Sequence, residues 1–151
     1  MTATRYLGSI PDQVSLGPYD PVPPPRPGLP LCRVFPGENS QLSVMRAWLA
    51  GLLPDRPARH DVACVATELS SNAVRHTASG RGGWFTVGIA RLGALVRVAV
   101  SDGGAPLGPR MPDDPAAESG RGLLIVCGLS ARAGVCGDHR GRTVWAELIW
   151  S

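Results

Sequence analysis

The spacing of hydrophobic residues predicts a strand followed by two helices in the first half of the chain. The segment LCRVF, which begins at Leu31, alternates apolar and polar residues between two prolines and is typical of a strand. In residues 38–53, and again in residues 58–76, apolar side chains recur every three or four positions, which predicts amphipathic helices. The apolar stripe of the second helix consists of Val62, Val65, Ala66, Leu69 and Ala73.

The second half of the chain carries two predicted pairs of strands with one helix between them. WFTVGIA and LVRVAV form the first pair, and ARAGVC and RTVWAELIW form the second. An apolar helix starts at Gly120, after a proline-containing loop over residues 105–119. Because three helices are too few to cover both faces of a sheet, we expect an α+β fold. This is a two-layer α/β sandwich with helices on one face of a mixed, mostly antiparallel sheet.

The N-terminal residues differ from the rest in composition. Residues 1–30 include the segment PYDPVPPPRPGLP, which is compatible neither with a helix nor with a central strand. We interpret residues 1–30 as a Pro-rich disordered tail, and a docking peptide for an aromatic groove is the alternative. Residues 31–151 then form one domain, which agrees with a chain of 151 residues of which 44% are hydrophobic.

Charge and cysteine content exclude several classes of function. The net charge is only +3 and no dense basic run occurs, so direct nucleic-acid binding is not expected. The sequence contains no lysine, which excludes a Schiff-base lysine and a P-loop lysine. The four cysteines lack C-x-x-C spacing, and the three in apolar segments, Cys64, Cys127 and Cys136, are expected to be reduced core residues. Without a signal-peptide pattern or a membrane-spanning apolar run, a cytoplasmic location away from membranes is expected.

Polar residues recur along one side of the second predicted helix. Glu68, Asn72 and His76 are spaced by four residues, so they fall within about 80° of one another beside the apolar stripe. A carboxylate can accept a proton, and an amide oxygen is a suitable ligand for Mg²⁺. Taken alone, such a row is more often a solvated helix face.

Two glycine-containing segments flank the predicted loop. Asp102 ends an apolar strand and is followed by two glycines, which allow a ligand to approach the backbone closely. Gly120 and Gly122 lie where the third helix begins, and the free N–H groups of a helix N-terminus favour phosphate. Each segment by itself is also compatible with an ordinary turn.

The three segments in this order resemble the N, G1 and G2 boxes of the GHKL superfamily of ATPases and kinases. The closest resemblance is to the small bacterial anti-sigma-factor serine/threonine kinases. The matching residues are E-L-x-x-N-A-x-x-H at 68–76, D-x-G at 102–104, G-x-G at 120–122 and a terminal G-x-T-V-x-x-x-L strand at 141–148. The resemblance extends from Leu31 to the C-terminus and excludes the Pro-rich tail.

The resemblance implies a Bergerat-type ATP-binding fold and a role for each matching residue. Glu68 would be the general base, and Asn72 would ligate the Mg²⁺ that bridges the ATP phosphates. Asp102 would accept from the adenine amino group, and Thr143 would support that contact. Residues 105–119 would form a lid. For His76, a structural or lid-anchoring role is favoured over a catalytic one. The remaining implied nucleotide-binding residues are Gly104, Gly120, Arg121, Gly122 and Leu123.

The function implied by the resemblance is phosphoryl transfer from Mg²⁺-ATP to a serine or threonine of an anti-sigma-factor antagonist. The implied partners are a sigma factor, the antagonist, or both, and the resemblance also allows a homodimer. The G1 box lacks the second glycine of a D-x-G-x-G pattern, and Pro106 lies where the chain enters the predicted lid. A non-catalytic ATP-binding module that acts by partner binding is therefore the alternative. A structural domain without nucleotide is a third interpretation.

Overall fold

A computed structural model describes residues 5–6, 31–76, 80–103, 121–137 and 141–150 of the chain. The helices and strands in this part are β1 (Arg5–Tyr6), β2 (Leu31–Pro36), α1 (Gln41–Leu52), α2 (Pro57–His76), β3 (Trp84–Leu92), β4 (Leu95–Asp102), α3 (Arg121–Leu129), β5 (Arg132–Gly137) and β6 (Arg142–Ile149). The strands form one sheet in the order β1-β5-β6-β4-β3-β2.

The sheet and its helices confirm the predicted α+β sandwich. Each of the five strand pairings among the described residues is antiparallel, so this part of the sheet is not mixed. Strand β1 extends the sheet by two residues beyond β5 and lies within the segment interpreted as a tail. The remainder of residues 1–30 lies outside the described part, so the tail and the domain boundary stay predictions.

One face of the sheet forms the hydrophobic core with the helices. The predicted apolar stripe of α2 is buried throughout, and Met45 and Leu49 of α1 are buried with it. In β4, side chains alternate between buried and half-buried positions, because successive residues of a strand point to opposite faces. Val98 and Val100 thereby point into the core beneath the helices.

The opposite face carries an ion cluster around a buried carboxylate, and this cluster connects three strands. Glu147 of β6 lies directly across from Arg97 of β4 and from Arg132 of β5. Arg97 donates through Nε and Nη2 to Glu147 Oε1, and the Nε–Oε1 distance is 3.0 Å. Arg132 donates through the same two atoms to Oε2, at 2.9 and 2.6 Å. Two guanidinium groups therefore compensate one fully buried carboxylate.

The cysteines are free, as expected, but they lie at the margin of the core and not inside it. Cys64, Cys127 and Cys136 are half-buried, and Cys32 on the edge strand β2 is exposed. Within the described segments, no helix has both the length and the apolar character needed to cross a bilayer.

Candidate functional site

The polar row predicted on α2 lies at the edge of the core. Glu68 and Asn72 are half-buried, whereas the neighbouring Leu69 and Ala73 are buried. The two polar side chains therefore occupy the boundary between the apolar stripe and solvent, as the helical period requires. His76 is the last residue of α2, and its side chain lies outside the described part.

The contact between Glu68 and Gly122 brings the N-box helix to the start of α3. A Cβ atom built on Gly122 would lie 2.4 Å from Glu68 Oε2 and 3.3 Å from its carboxyl carbon. Any side chain at this position would displace the carboxylate. An alanine at residue 122 would therefore require the end of the Glu68 side chain to move.

The first turn of α3 attracts negative charge. Gly122 is its second residue, and the N–H groups there point away from the helix at the positive end of its dipole. Such a terminus can hold a carboxylate or a phosphate. Leu123 is buried in the core, so its side chain packs beneath the site, and its contact with nucleotide stays a prediction.

Asp102, the predicted acceptor for adenine, is buried beside an arginine. Asp102 ends β4 and lies directly opposite Arg142, the first residue of β6. Arg142 Nε donates to Asp102 Oδ2 at 3.4 Å, and the two side chains are 7% and 3% exposed, with Asp102 the more buried. The guanidinium supplies the positive charge that a buried carboxylate requires. Sequence reasoning missed Arg142, because the G-x-T-V pattern leaves this position unspecified.

Thr143 lies on the other face of the sheet from Asp102. Directly opposed residues of an antiparallel pair share a face, and Thr143 is opposite Ser101. Their hydroxyl oxygens are 2.8 Å apart and share a hydrogen bond. The structure therefore places Arg142, and not Thr143, beside Asp102. A role for Thr143 in nucleotide binding stays a prediction.

The remaining implied site residues are only partly within the described segments. Gly104, Gly120 and the lid at 105–119 lie outside them, and the backbone alone of Arg121 lies inside. Their roles stay predictions. In the described part of the chain, no three His, Cys, Asp or Glu side chains are grouped so as to hold a metal ion.

A comparison with protein families decides the relationship of the chain. The model of the histidine kinase-like ATPase domain family matches residues 35–148, which extend from β2 to β6. The chain belongs to this family. No curated protein matches it. It is therefore an ATP-binding domain of the histidine kinase-like ATPase type, and the match includes each candidate site residue described above.

The residues of this histidine kinase-like ATPase domain fit ATP in two places. The Glu68 carboxylate lies against Gly122, at a helix terminus suited to phosphate. Asp102 and Arg142 form a buried pair of an acceptor and a donor of the kind that recognises a base edge. Magnesium usually takes one or two protein oxygens together with phosphates, and Asn72 offers one such oxygen a helical turn from Glu68.

Proposed function

We propose that this protein is an anti-sigma-factor serine/threonine kinase. It binds Mg²⁺-ATP and transfers the γ-phosphate to a hydroxyl of an anti-sigma-factor antagonist protein. A sigma factor, the antagonist, or both are its partners in the cytoplasm, and the active form is a monomer or a homodimer. The proposal rests on membership of the histidine kinase-like ATPase family together with the chemistry of the site.

The contact of Glu68 with Gly122 carries the proposal. It places a half-buried carboxylate at the first turn of α3, where the phosphates of a nucleotide are favoured. A base in this position can take the proton of an acceptor hydroxyl while the hydroxyl oxygen bonds to the γ-phosphorus. The bond between the γ-phosphorus and the β,γ-bridging oxygen breaks, and ADP leaves.

In this proposal, Asn72 and the first turn of α3 orient the ATP phosphates. When bound, Mg²⁺ neutralises phosphate charge, and the Asn72 side-chain oxygen is the residue we assign to hold it. Phosphoryl transfer depends mainly on such positioning and charge compensation, so a small set of side chains is sufficient.

The first experiment is calorimetric titration of ATP into the wild-type protein and Asn72→Ala, each with and without Mg²⁺. We expect wild-type binding to depend on Mg²⁺, and Asn72→Ala to lose that dependence. Asn39→Ala, at an exposed position before α1, is the matched control and should bind as wild type does. Absence of ATP binding by the wild type would exclude the proposal.

The second experiment tests transfer with radiolabelled γ-phosphate and purified antagonist proteins. Glu68→Gln should keep ATP binding and lose at least about a hundredfold in the transfer rate, because general-base catalysis contributes this much. Glu38→Gln, at an exposed site, should transfer normally.

The altered G1 box favours a second candidate, a non-catalytic ATP-binding module that acts by binding its partner. The sequence D-G-G-A-P at 102–106 lacks the second glycine of the pattern. For this candidate, ATP binds without transfer, and Glu68→Gln leaves regulation of the partner unchanged. Loss of regulation in Glu68→Gln favours the kinase.

A further inference from the structure

Arg142 occupies the position next to the proposed acceptor for adenine. The antiparallel register places it opposite Asp102, on the face of the sheet that the helices cover. Its side chain is 7% exposed, and its guanidinium contacts the Asp102 carboxylate. The Arg142 guanidinium and the Asp102 carboxylate therefore lie together, so a base bound at Asp102 would lie near Arg142.

The two side chains have opposite hydrogen-bonding character. A carboxylate only accepts, and a guanidinium only donates, through five N–H groups that can contact Asp102 and a second acceptor together. Adenine presents a donor and an acceptor side by side, namely the 6-amino group and the ring nitrogen N1. Guanine and hypoxanthine present the reverse order, with an acceptor oxygen at C6 and a donor N1–H.

We propose that Arg142 is a specificity-determining residue of the nucleotide site, whose guanidinium donates to adenine N1 while Asp102 accepts from the 6-amino group. This inference rests on the proposed ATP site. A site built from buried polar groups rejects an analogue that leaves one of them without its partner. The pair therefore selects adenine over guanine at both positions of the base edge.

A purely structural role of Arg142, in which it only orients Asp102, makes a different prediction. Loss of the guanidinium would then weaken the binding of every purine nucleotide by a similar factor, whether or not the base has a nitrogen at position 1. Direct donation to N1 instead makes the effect depend on the ligand. The ratio of two affinities measured in the same variant separates the two roles, because damage to Asp102 cancels from the ratio.

The experiment measures affinities of the full chain by calorimetry for ATP, 1-deaza-ATP and 7-deaza-ATP. Wild type should bind 1-deaza-ATP about tenfold more weakly than ATP, since one buried charge-assisted hydrogen bond is lost. It should bind 7-deaza-ATP as well as ATP. Arg142→Met should bind ATP and 1-deaza-ATP equally. Arg91→Met, on the exposed part of β3 at the opposite end of the sheet, should retain the tenfold ratio.

Other results of these titrations would contradict either the role of Arg142 or the nucleotide site itself. Equal binding of ATP and 1-deaza-ATP by wild type, or an unchanged ratio in Arg142→Met, overturns the role of Arg142. A loss confined to 7-deaza-ATP also overturns it, because N7 is then the contacted nitrogen. No ATP binding by wild type refutes the nucleotide site itself. If Arg142→Met does not fold, the wild-type ratios still decide, and Arg142→Gln is the second variant.

Discussion

The Glu68 carboxylate lies where a side chain on residue 122 would begin. The Cβ position of Gly122 falls 2.4 Å from Glu68 Oε2, whereas a Cβ on Gly128, six residues later in the same helix, meets nothing within 4 Å. The two glycines therefore differ in whether an added methyl group would contact Glu68. At residue 122 a methyl group moves the proposed base, and at residue 128 it extends into open space.

Gly122→Ala is expected to slow phosphoryl transfer by about a hundredfold, because an error of one ångström in a reacting group costs this much. The fold should persist, since alanine favours a helix interior by up to about 1 kcal/mol over glycine. Measurement of the transfer rate and of the affinity for ATP separates loss of catalysis from loss of binding.

Gly128→Ala is the matched control and should keep the transfer rate of wild type while the free energy of unfolding rises slightly. Equal transfer rates in the two alanine variants would contradict the positioning role of Gly122.

Half-buried thiols predict a pH dependence of stability. Burial raises the pKa of Cys127, and it raises the pKa of Cys64 together with the negative charges of Glu68 and Asp61. A raised pKa in the folded state means that the folded protein holds the thiol proton more tightly than the unfolded chain does. The stabilisation by the protonated thiols is complete below the thiol pKa of the unfolded chain, about 8.5. It is lost as the pH rises through the higher thiol pKa of the folded protein.

Urea unfolding between pH 7.5 and 10 is the measurement that checks this dependence. The free energy of unfolding should fall above about pH 8.5, and the fall should be smaller in Cys127→Ala. The interpretation is wrong if Cys127→Ala retains the full slope.

Three strands are connected by one ion cluster on the face of the sheet opposite the helices. Glu147 accepts from Arg97 of β4 and from Arg132 of β5, so a single carboxylate fixes the register of both neighbours of β6. Removal of one member of a buried ionic group leaves the remaining charges uncompensated. This connection between strands is separate from the proposed nucleotide site, whose residue Asp102 lies on the helix-covered face.

Glu147→Gln should lower the free energy of unfolding by about 3 kcal/mol, because the nearly buried Arg97 guanidinium loses its anion. Asp55→Asn, which breaks the exposed pair between Asp55 and Arg59, is the control and should cost under about 1 kcal/mol. Chemical denaturation of both variants measures the difference. A loss in Glu147→Gln as small as that of the control would show that the cluster does not hold the strands.

Nucleotide binding should stabilise the molecule as a whole. A ligand that binds only the folded state at about a hundred times its dissociation constant adds about 2.7 kcal/mol to the free energy of unfolding. For a chain of this size the melting temperature then rises by roughly 5–10 °C. Thermal melts with Mg²⁺-ATP and with Mg²⁺-UTP test this effect. An equal shift with UTP would indicate binding of phosphate charge without recognition of the base.

The helices and strands, and the sequence order of the three boxes, were determined by the sequence alone. The apolar stripe of α2 and the alternation along β4 are local periods, and local periods depend only on helix and strand geometry. The three boxes could also be recognised from the sequence, because each is a short contiguous motif, and the family match supports that recognition. The pairing of β1 with β5 was not predicted, since two residues carry no period.

Only the tertiary structure decided which side chains meet. Arg142 lies forty residues from Asp102 in the chain, and antiparallel register alone makes them neighbours. The motif pattern suggested that Thr143 supports the contact made by Asp102. The register instead puts Thr143 on the opposite face of the sheet, where it pairs with Ser101. The close approach of Gly122 to the Glu68 carboxylate likewise depends on how α3 packs against α2. These contacts join segments far apart in sequence, and their geometry depends on how helices and strands pack, which no local pattern encodes.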